Sequence, residues 1–232
     1  KHDLSDISKK LEKNIFKNLS EDEALDIFKD IGIEIVDYKL SSNEKQAIEY
    51  SSQIGFPLAM KVLSSEIIHK TETGGVELNI KNLEEVKISF KKLSDVFHKL
   101  KINSSEKKFI IQKMEKGIAE IILGYRVDEL VGPIVVIGSG GILSEIYNDK
   151  SIRMAPVDIT EAKKMIKEVK SLVTITGYRG LPEVDINIIA TAIVNISKFA
   201  LVKEIKEAEI NPVIVKKNNE GIVAVDGLIT LK

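Results

Sequence analysis

Residues 57–80 read PLAMKVLSSEIIHKTETGGVELNI. PLAMKVLS follows the turn Gly55-Phe56-Pro57, and its short apolar run predicts a strand. VELNI predicts a second strand. The loop between them, SSEIIHKTETGG, carries His69, Lys70, Thr71 and Thr73 ahead of Gly74 and Gly75. Neighbours on a strand point to opposite faces, so Lys61 shares a face with Ala59 and Leu63. A lysine among apolar residues must reach a partner or extend to water. It reads either as a phosphate-binding cation or as a wet lysine on an edge strand. His69 reads either as a base or phosphoryl-carrying nucleophile, or as an ordinary surface histidine. The two glycines permit backbone angles that let a phosphate approach closely.

Working outward, helices and strands alternate on both sides of this segment. Leu4, Ile7, Leu11, Ile15 and Phe16 have helical spacing over residues 4–18. Ser20 with Glu23 has the capping-box pattern and predicts a helix over 21–30, which Gly32 ends. IEIVDYKL predicts a strand, and Asn43 opens a helix to Ile54. Asn82 with Glu85 caps a helix through Leu100. Alternation in units of this kind predicts an α/β arrangement for the first part.

After the polar turn NSSEKK the texture changes. FIIQKME, AEIILGYRV, GPIVVIGS and EIYND follow one another as strands of a mostly antiparallel sheet. Thr160 is expected to cap a helix to Val169. Ile186, Ile189, Ile193, Ile196 and Phe199 lie on one face of a further helix. KEAEINPVIVK and IVAVDGLITL close the chain as a hairpin across KNNEG. The boundary is expected within 101–108, dividing the chain into lobes 1–105 and 106–232 with a ligand site in the cleft.

Composition narrows the functions. The 232 residues carry 34 basic and 35 acidic side chains, a net charge of −1, so no basic field exists to attract nucleic acid or an anionic membrane. There is no cysteine, which excludes disulfides, zinc–thiolate sites and thiol catalysis. The first residues, KHDLSDISKK, lack the apolar core of a secretion signal. No stretch reaches the length of a membrane helix. A cytoplasmic location is expected. Only Arg126, Arg153 and Arg179 are arginines, so each invites the question of what needs a planar fork. His98 fits a helix face, and His2 belongs to the terminus.

Two further groups could bind ligands. Gly138–Gly141, GSGG, follow the apolar run IVVI, and glycines after a strand often cradle phosphates. The spacing is neither a P-loop nor a dinucleotide fingerprint, and a plain turn reads equally well. Glu209 and Asn211 lie two apart on a predicted strand, hence on one face. Asp226 lies in the next strand, within AVDGLI. Carboxylates in apolar strands are costly unless paired or bound to a cation. Two carboxylates and an amide oxygen are hard ligands suited to Mg2+. Three polar residues beside turns are the alternative.

Taken in order, KVLSSEIIHKTETGGVELNI, IQKMEKGIAEIILG, GSGGILSEIYNDKSIRMAP, ITGYRG and EINPVIV resemble the β subunit of ADP-forming acyl-CoA synthetases, of which acetyl-CoA synthetase (ADP-forming) is the best-known member. The resemblance runs from about residue 20 to 232. It implies an ATP-grasp fold of two α+β lobes with the nucleotide between them. It implies the reaction acyl-CoA, phosphate and ADP to acid, CoA and ATP. CoA and a first phosphohistidine would belong to an α subunit, in a hetero-oligomer, commonly α2β2.

By the same resemblance His69 matches the second phosphohistidine, which carries phosphate to the nucleotide. Lys61 matches the lysine on the nucleotide phosphates, and Arg153 an arginine aimed at them. Gln112, Lys113 and Met114 match the hinge that meets adenine, and Glu120 the acidic residue after it. Gly140 and Gly141 match the glycine turn. Glu209, Asn211 and Asp226 match the Mg2+ end. Ile152 departs from the pattern, standing where the family often has an aromatic residue. Arg126 and Arg179 receive no contact. A succinyl- or aryl-acid-specific synthetase, or a non-catalytic regulatory ATP-grasp module, is the alternative implied.

Overall fold

The computed structural model describes residues 4–12, 18–64, 73–99, 108–140, 149–175, 184–217 and 220–232. The chain divides into two compact units. One contains residues 20–22 and 36–115, and the other contains 1–19, 23–35 and 116–232. The expected division at 105/106 differs from this in two ways. The strand at 108–113 pairs with strands of the first part, so it stays with them. The first residues return to the later part of the chain, where Asn18 bridges Thr230 and Ile35 bridges Ala224.

The smaller unit is built on strands β1 (Tyr38–Ser41), β2 (Leu58–Leu63), β3 (Val76–Ile80) and β4 (Lys108–Lys113). Their order is β1-β4-β2-β3 and every pairing is antiparallel. The α/β expectation for this part therefore gives way to an antiparallel α+β layer. The alternation of elements was read correctly, but β4 enters from beyond the polar turn and runs between β1 and β2. The strand expected over IEIVDYKL begins only at Tyr38, because Ile35 bridges Ala224 instead.

Two helices cover one face of this sheet. Asn43 accepts from the Gln46 amide and starts α3 (Glu44–Ile54). Glu85 accepts from the Lys81 amide while its own amide donates to Asn82, which starts α4 (Leu83–Lys99). Side-chain oxygens here meet amide hydrogens that a first turn leaves unpaired. Met60, Val62, Phe109 and Ile111 pack with Ala47, Leu93 and Phe97 in the core under these helices. Strand alternation then sends Ala59, Lys61, Leu63, Ile110 and Gln112 to the opposite face.

The larger unit carries β5 (Ala119–Asp128), β6 (Gly132–Ser139), β7 (Lys150–Met154), β8 (Ile205–Val215), β9 (Ile222–Ala224) and β10 (Gly227–Leu231). The antiparallel order is β10-β8-β5-β6-β7, with β9 also on β8. EIYND falls mostly outside the described residues, and the strand there begins at Lys150. The last expected strand is broken at Val225 and Asp226, because opposite them Pro212 offers a carbonyl but no amide hydrogen.

Helices α1 (Leu4–Glu12), α2 (Glu21–Asp30), α5 (Ile159–Glu168) and α6 (Ile186–Ser197) complete the described α-helices, and short 3-10 helices cover Lys170–Ile175 and Lys198–Leu201. The unit boundary falls inside α2, between Asp22 and Glu23. Phe199, just after α6, meets the rings of Phe28 and Tyr125 at 6.2 and 6.0 Å. No described helix is long and apolar enough to cross a membrane.

The cap of α5 is Asp158, not Thr160. The Asp158 carboxylate accepts from the Glu161 amide at 2.8 Å, so Thr160 sits within the first turn. Asp158→Ala should therefore cost about 1 kcal/mol in denaturant unfolding, whereas Thr160→Ala should change stability by less than about 0.5 kcal/mol.

Candidate nucleotide and metal site

Lys61 is not on an edge. Strand β2 runs between β4 and β3, and Lys61 stands opposite Ile110 and Val76. Only 5% of the residue is exposed, which removes the reading of a wet surface lysine. Its ammonium donates to the Glu21 carboxylate at 2.7 Å, and Glu21 is itself 2% exposed. Both belong to the smaller unit. A buried cation is tolerated when paired in this way. Glu21 was not singled out in the sequence, since an acidic residue opening a helix is ordinary.

Gln112 lies opposite Ala59, on the face that carries Lys61, and is buried. The Lys113 and Met114 amides donate to Asp37 O at 3.0 Å and Pro57 O at 3.1 Å. These amide hydrogens are thus already used within the smaller unit. The Met114 sulfur accepts from the Asn79 amide, which lies at a positive φ of 58°.

Glu120 and Gly140 come together in the larger unit. The Gly140 amide donates to Glu120 O at 2.7 Å. A Cβ on Gly140 would lie 2.8 Å from the Glu120 carbonyl carbon. Its lack of a side chain thus serves close backbone packing onto β5. Gly141, Arg179 and His69 lie outside the described residues.

Arg153 is directed to α5. Its Nε donates to Glu161 at 2.7 Å, one terminal nitrogen donates to Glu168, and the other donates to Ser151 and to Ile152 O. Strand alternation puts Arg153 and Ser151 on the helix-covered face, where the guanidinium meets the two glutamates of α5. Ile152 and Met154 lie on the other face and are exposed. Arg126 pairs loosely with Asp128 at 3.5 Å.

The metal candidates lie near one another in the larger unit. The Asn211 side-chain amide donates to Glu209 at 3.2 Å, and the Asn211 backbone amide donates to Asp226 O at 3.3 Å. Asp226 stands at the break between β9 and β10, not on a strand, and accepts from the Gly227 amide at 2.9 Å. The Asn211 amide oxygen and the Glu209 and Asp226 carboxylates are hard donors of the kind that fit Mg2+ completed by phosphate oxygens. Glu209 also lies in a row across the sheet, Leu228–Glu209–Gly124–Val136–Ile152, on the face away from α5. No cluster of three or more His, Cys, Asp or Glu suited to a metal occurs among the described residues.

A family model described as an ATP-grasp domain matches residues 10–231. The chain belongs to the ATP-grasp family. It is 38% identical over 214 residues to the β subunit of acetate–CoA ligase (ADP-forming) I of Pyrococcus furiosus, covering 92% of this chain and 91% of that one. It is 34% identical to the acetate–CoA ligase (ADP-forming) of Methanocaldococcus jannaschii, covering 94% of this chain but only 31% of that longer protein. In solved structures it is similar to acetyl-coenzyme A synthetase 1 of Ca. Korarchaeum cryptofilum with coenzyme A and Ca-AMPCP. That match has 33% identity, a TM-score of 0.88, and covers 99% of this chain and 100% of that one. Another structure of that protein holds coenzyme A and Mg-AMPPCP, with a phosphohistidine segment pointing towards the nucleotide site. It has 32% identity, a TM-score of 0.80 and the same coverage. The ATP-grasp family and its α+β fold thus stand as the sequence implied.

The Arg153 pairs also set a pH dependence. Hydrogen bonds from Arg153 hold the Glu168 and Glu161 carboxyls below the usual glutamate range. Their contribution is fully present above the unfolded glutamate value of about 4.3 and is lost as pH falls through the lowered values. Arg153→Met should therefore flatten the loss of thermal stability on acidification, read as Tm against pH.

Proposed function

We propose that this chain is the nucleotide-binding β subunit of an ADP-forming acetate–CoA ligase. Phosphate would pass from a CoA-binding α subunit to His69, and from His69 to Mg-bound ADP. The observation that supports this most is its similarity over nearly full length to a β subunit of that activity. The buried Lys61 and the gathered Glu209, Asn211 and Asp226 fit the chemistry. The reaction is reversible, and the working form would be a hetero-oligomer, α2β2 in the simplest case. CoA would be held by the partner. The reading places the chain in the cytoplasm, with soluble CoA and nucleotides.

Phosphoryl transfer depends mainly on positioning and charge neutralisation. A neutral imidazole nitrogen of His69 would attack the phosphorus of the α subunit's phosphohistidine, whose P–N bond breaks and frees that imidazole; a terminal phosphate oxygen of ADP would then attack the phosphorus on His69, and the His69 P–N bond breaks to restore the imidazole. Lys61 would neutralise nucleotide phosphates. Mg2+ bound by Glu209, Asn211 and Asp226 would supply further charge to the phosphate oxygens. Gln112 and the hinge at 113–114 would border the base, and Glu120 would follow it. Gly140 and Gly141 would shape the turn nearby. Arg153 is assigned no phosphate contact.

The decisive experiment incubates the chain, alone and with its candidate α subunit, with γ-labelled ATP and Mg2+, and maps acid-labile phosphate. Label on His69 is expected. Nucleotide binding with no label under either condition favours a regulatory ATP-grasp module instead. His69→Ala should abolish phosphate transfer to ADP and leave nucleotide affinity nearly unchanged; full turnover by this variant ends the carrier role. Asp226→Asn should weaken ATP binding in Mg2+ and leave it unchanged without the metal, as read by titration calorimetry.

A further inference from the structure

The pair formed by Lys61 and Glu21 raises a question that the proposed function leaves open. A phosphate-binding lysine is expected to present its charge to the ligand. Here the ammonium is already neutralised at 2.7 Å by a carboxylate that is fully buried. Glu21 opens α2, where the amide hydrogens of the first turn favour a negative charge and stabilise the carboxylate further. Lys61 meanwhile is fixed at its base, held in register between Ile110 of β4 and Val76 of β3. The strand can move little, while the ammonium can swing at the end of a four-carbon stem. These two features make the ion pair an exchangeable contact on a rigid strand.

We propose that Glu21 is an internal competitor for the nucleotide phosphates, a positioning residue that holds Lys61 until phosphate replaces it. The inference rests on the reading of Lys61 as the phosphate lysine. A bare lysine attracts a phosphate strongly in a poorly solvated site, whereas a neutral Lys–Glu pair attracts it much less. The Glu21 carboxylate therefore weakens nucleotide binding and eases release of the nucleotide formed. It also satisfies Lys61 when no nucleotide is bound, which avoids a buried unpaired cation.

The chemistry that Glu21 senses is the phosphate, not the base. This separates competition from a general effect on the fold. On the full chain, Glu21→Gln should bind ADP tighter by about tenfold, from loss of one competing charge near a partly buried site. Its affinity for adenosine, which carries no phosphate, should stay unchanged. A merely structural role would move both ligands together. Lys61→Met supplies the control for the underlying reading and should lose most of the ADP affinity.

The outcomes separate as follows. Tighter ADP binding by Glu21→Gln, with adenosine unchanged and Lys61→Met weakened, supports the competitor. Unchanged or weaker ADP binding by Glu21→Gln, with Lys61→Met weakened, overturns it while leaving Lys61 on the phosphates. Unchanged ADP binding by Lys61→Met overturns both. Should Glu21→Gln fail to fold, Glu21→Asp draws the carboxylate back by one methylene and keeps its charge. It should tighten ADP by a smaller factor, and an affinity equal to that of the unaltered chain overturns the proposal.

Discussion

The ladder between β5 and β8 carries the larger unit. These two strands form the middle of its sheet: β10 and β9 attach to β8, β6 attaches to β5, and β7 attaches to β6. One face of the ladder is core: Ile121 stands opposite Val213, Leu123 opposite Ile210, and Tyr125 opposite Ala208, all buried. The register shifts between Ile121 and Leu123, and the shift admits an extra residue on β8 near Asn211 and Pro212. An irregularity of this kind re-aims side chains where a regular strand would keep strict alternation. It lies where Glu209, Asn211 and Asp226 meet. The core and the metal candidates thus depend on a single pairing, read from its two faces.

Much of the fold was legible because local signals were strong. Asn43 and Asn82 began their helices as the capping patterns indicated, and Gly32 follows α2 at a positive φ of 86°. Apolar runs at 58–63, 76–80 and 119–127 became strands. The failures were of a different kind. No local signal says that β4 pairs with β1 and β2, or that residues 23–35 fold with the end of the chain. Those are long-range pairings, decided by which surfaces bury best. Asp158 outcompeted Thr160 as a cap because a carboxylate is a better partner for the amide hydrogens of a first turn.

The site was legible by residue type and less so by role. Glu209 and Asn211 were placed on one face from their spacing alone, and their side chains do hydrogen-bond. Lys61 was marked, but its burial and its partner were not, because sequence spacing cannot bring residue 21 to residue 61. Arg153 was marked for its scarcity as an arginine. Its fork is used, but on two glutamates of α5. Scarcity identified a place that needs a guanidinium without telling which anions it serves. Gly140 similarly proved necessary for a close approach to Glu120.

The division of the chain bears on how such a protein is joined to others. Residues 1–19 and 116–232 fall in one unit, while 36–115 leave that unit and return to it. The end of the chain is tied there too, since the Lys232 amide donates to Glu204 O. A neighbour joined covalently before or after this segment is therefore tethered to the larger unit in either case. The smaller unit, with Lys61, is made of two internal segments, 20–22 and 36–115, and receives no direct tether. A segment of this kind is matched both by a separate subunit over 91% of its length and by a longer protein of which it spans 31%.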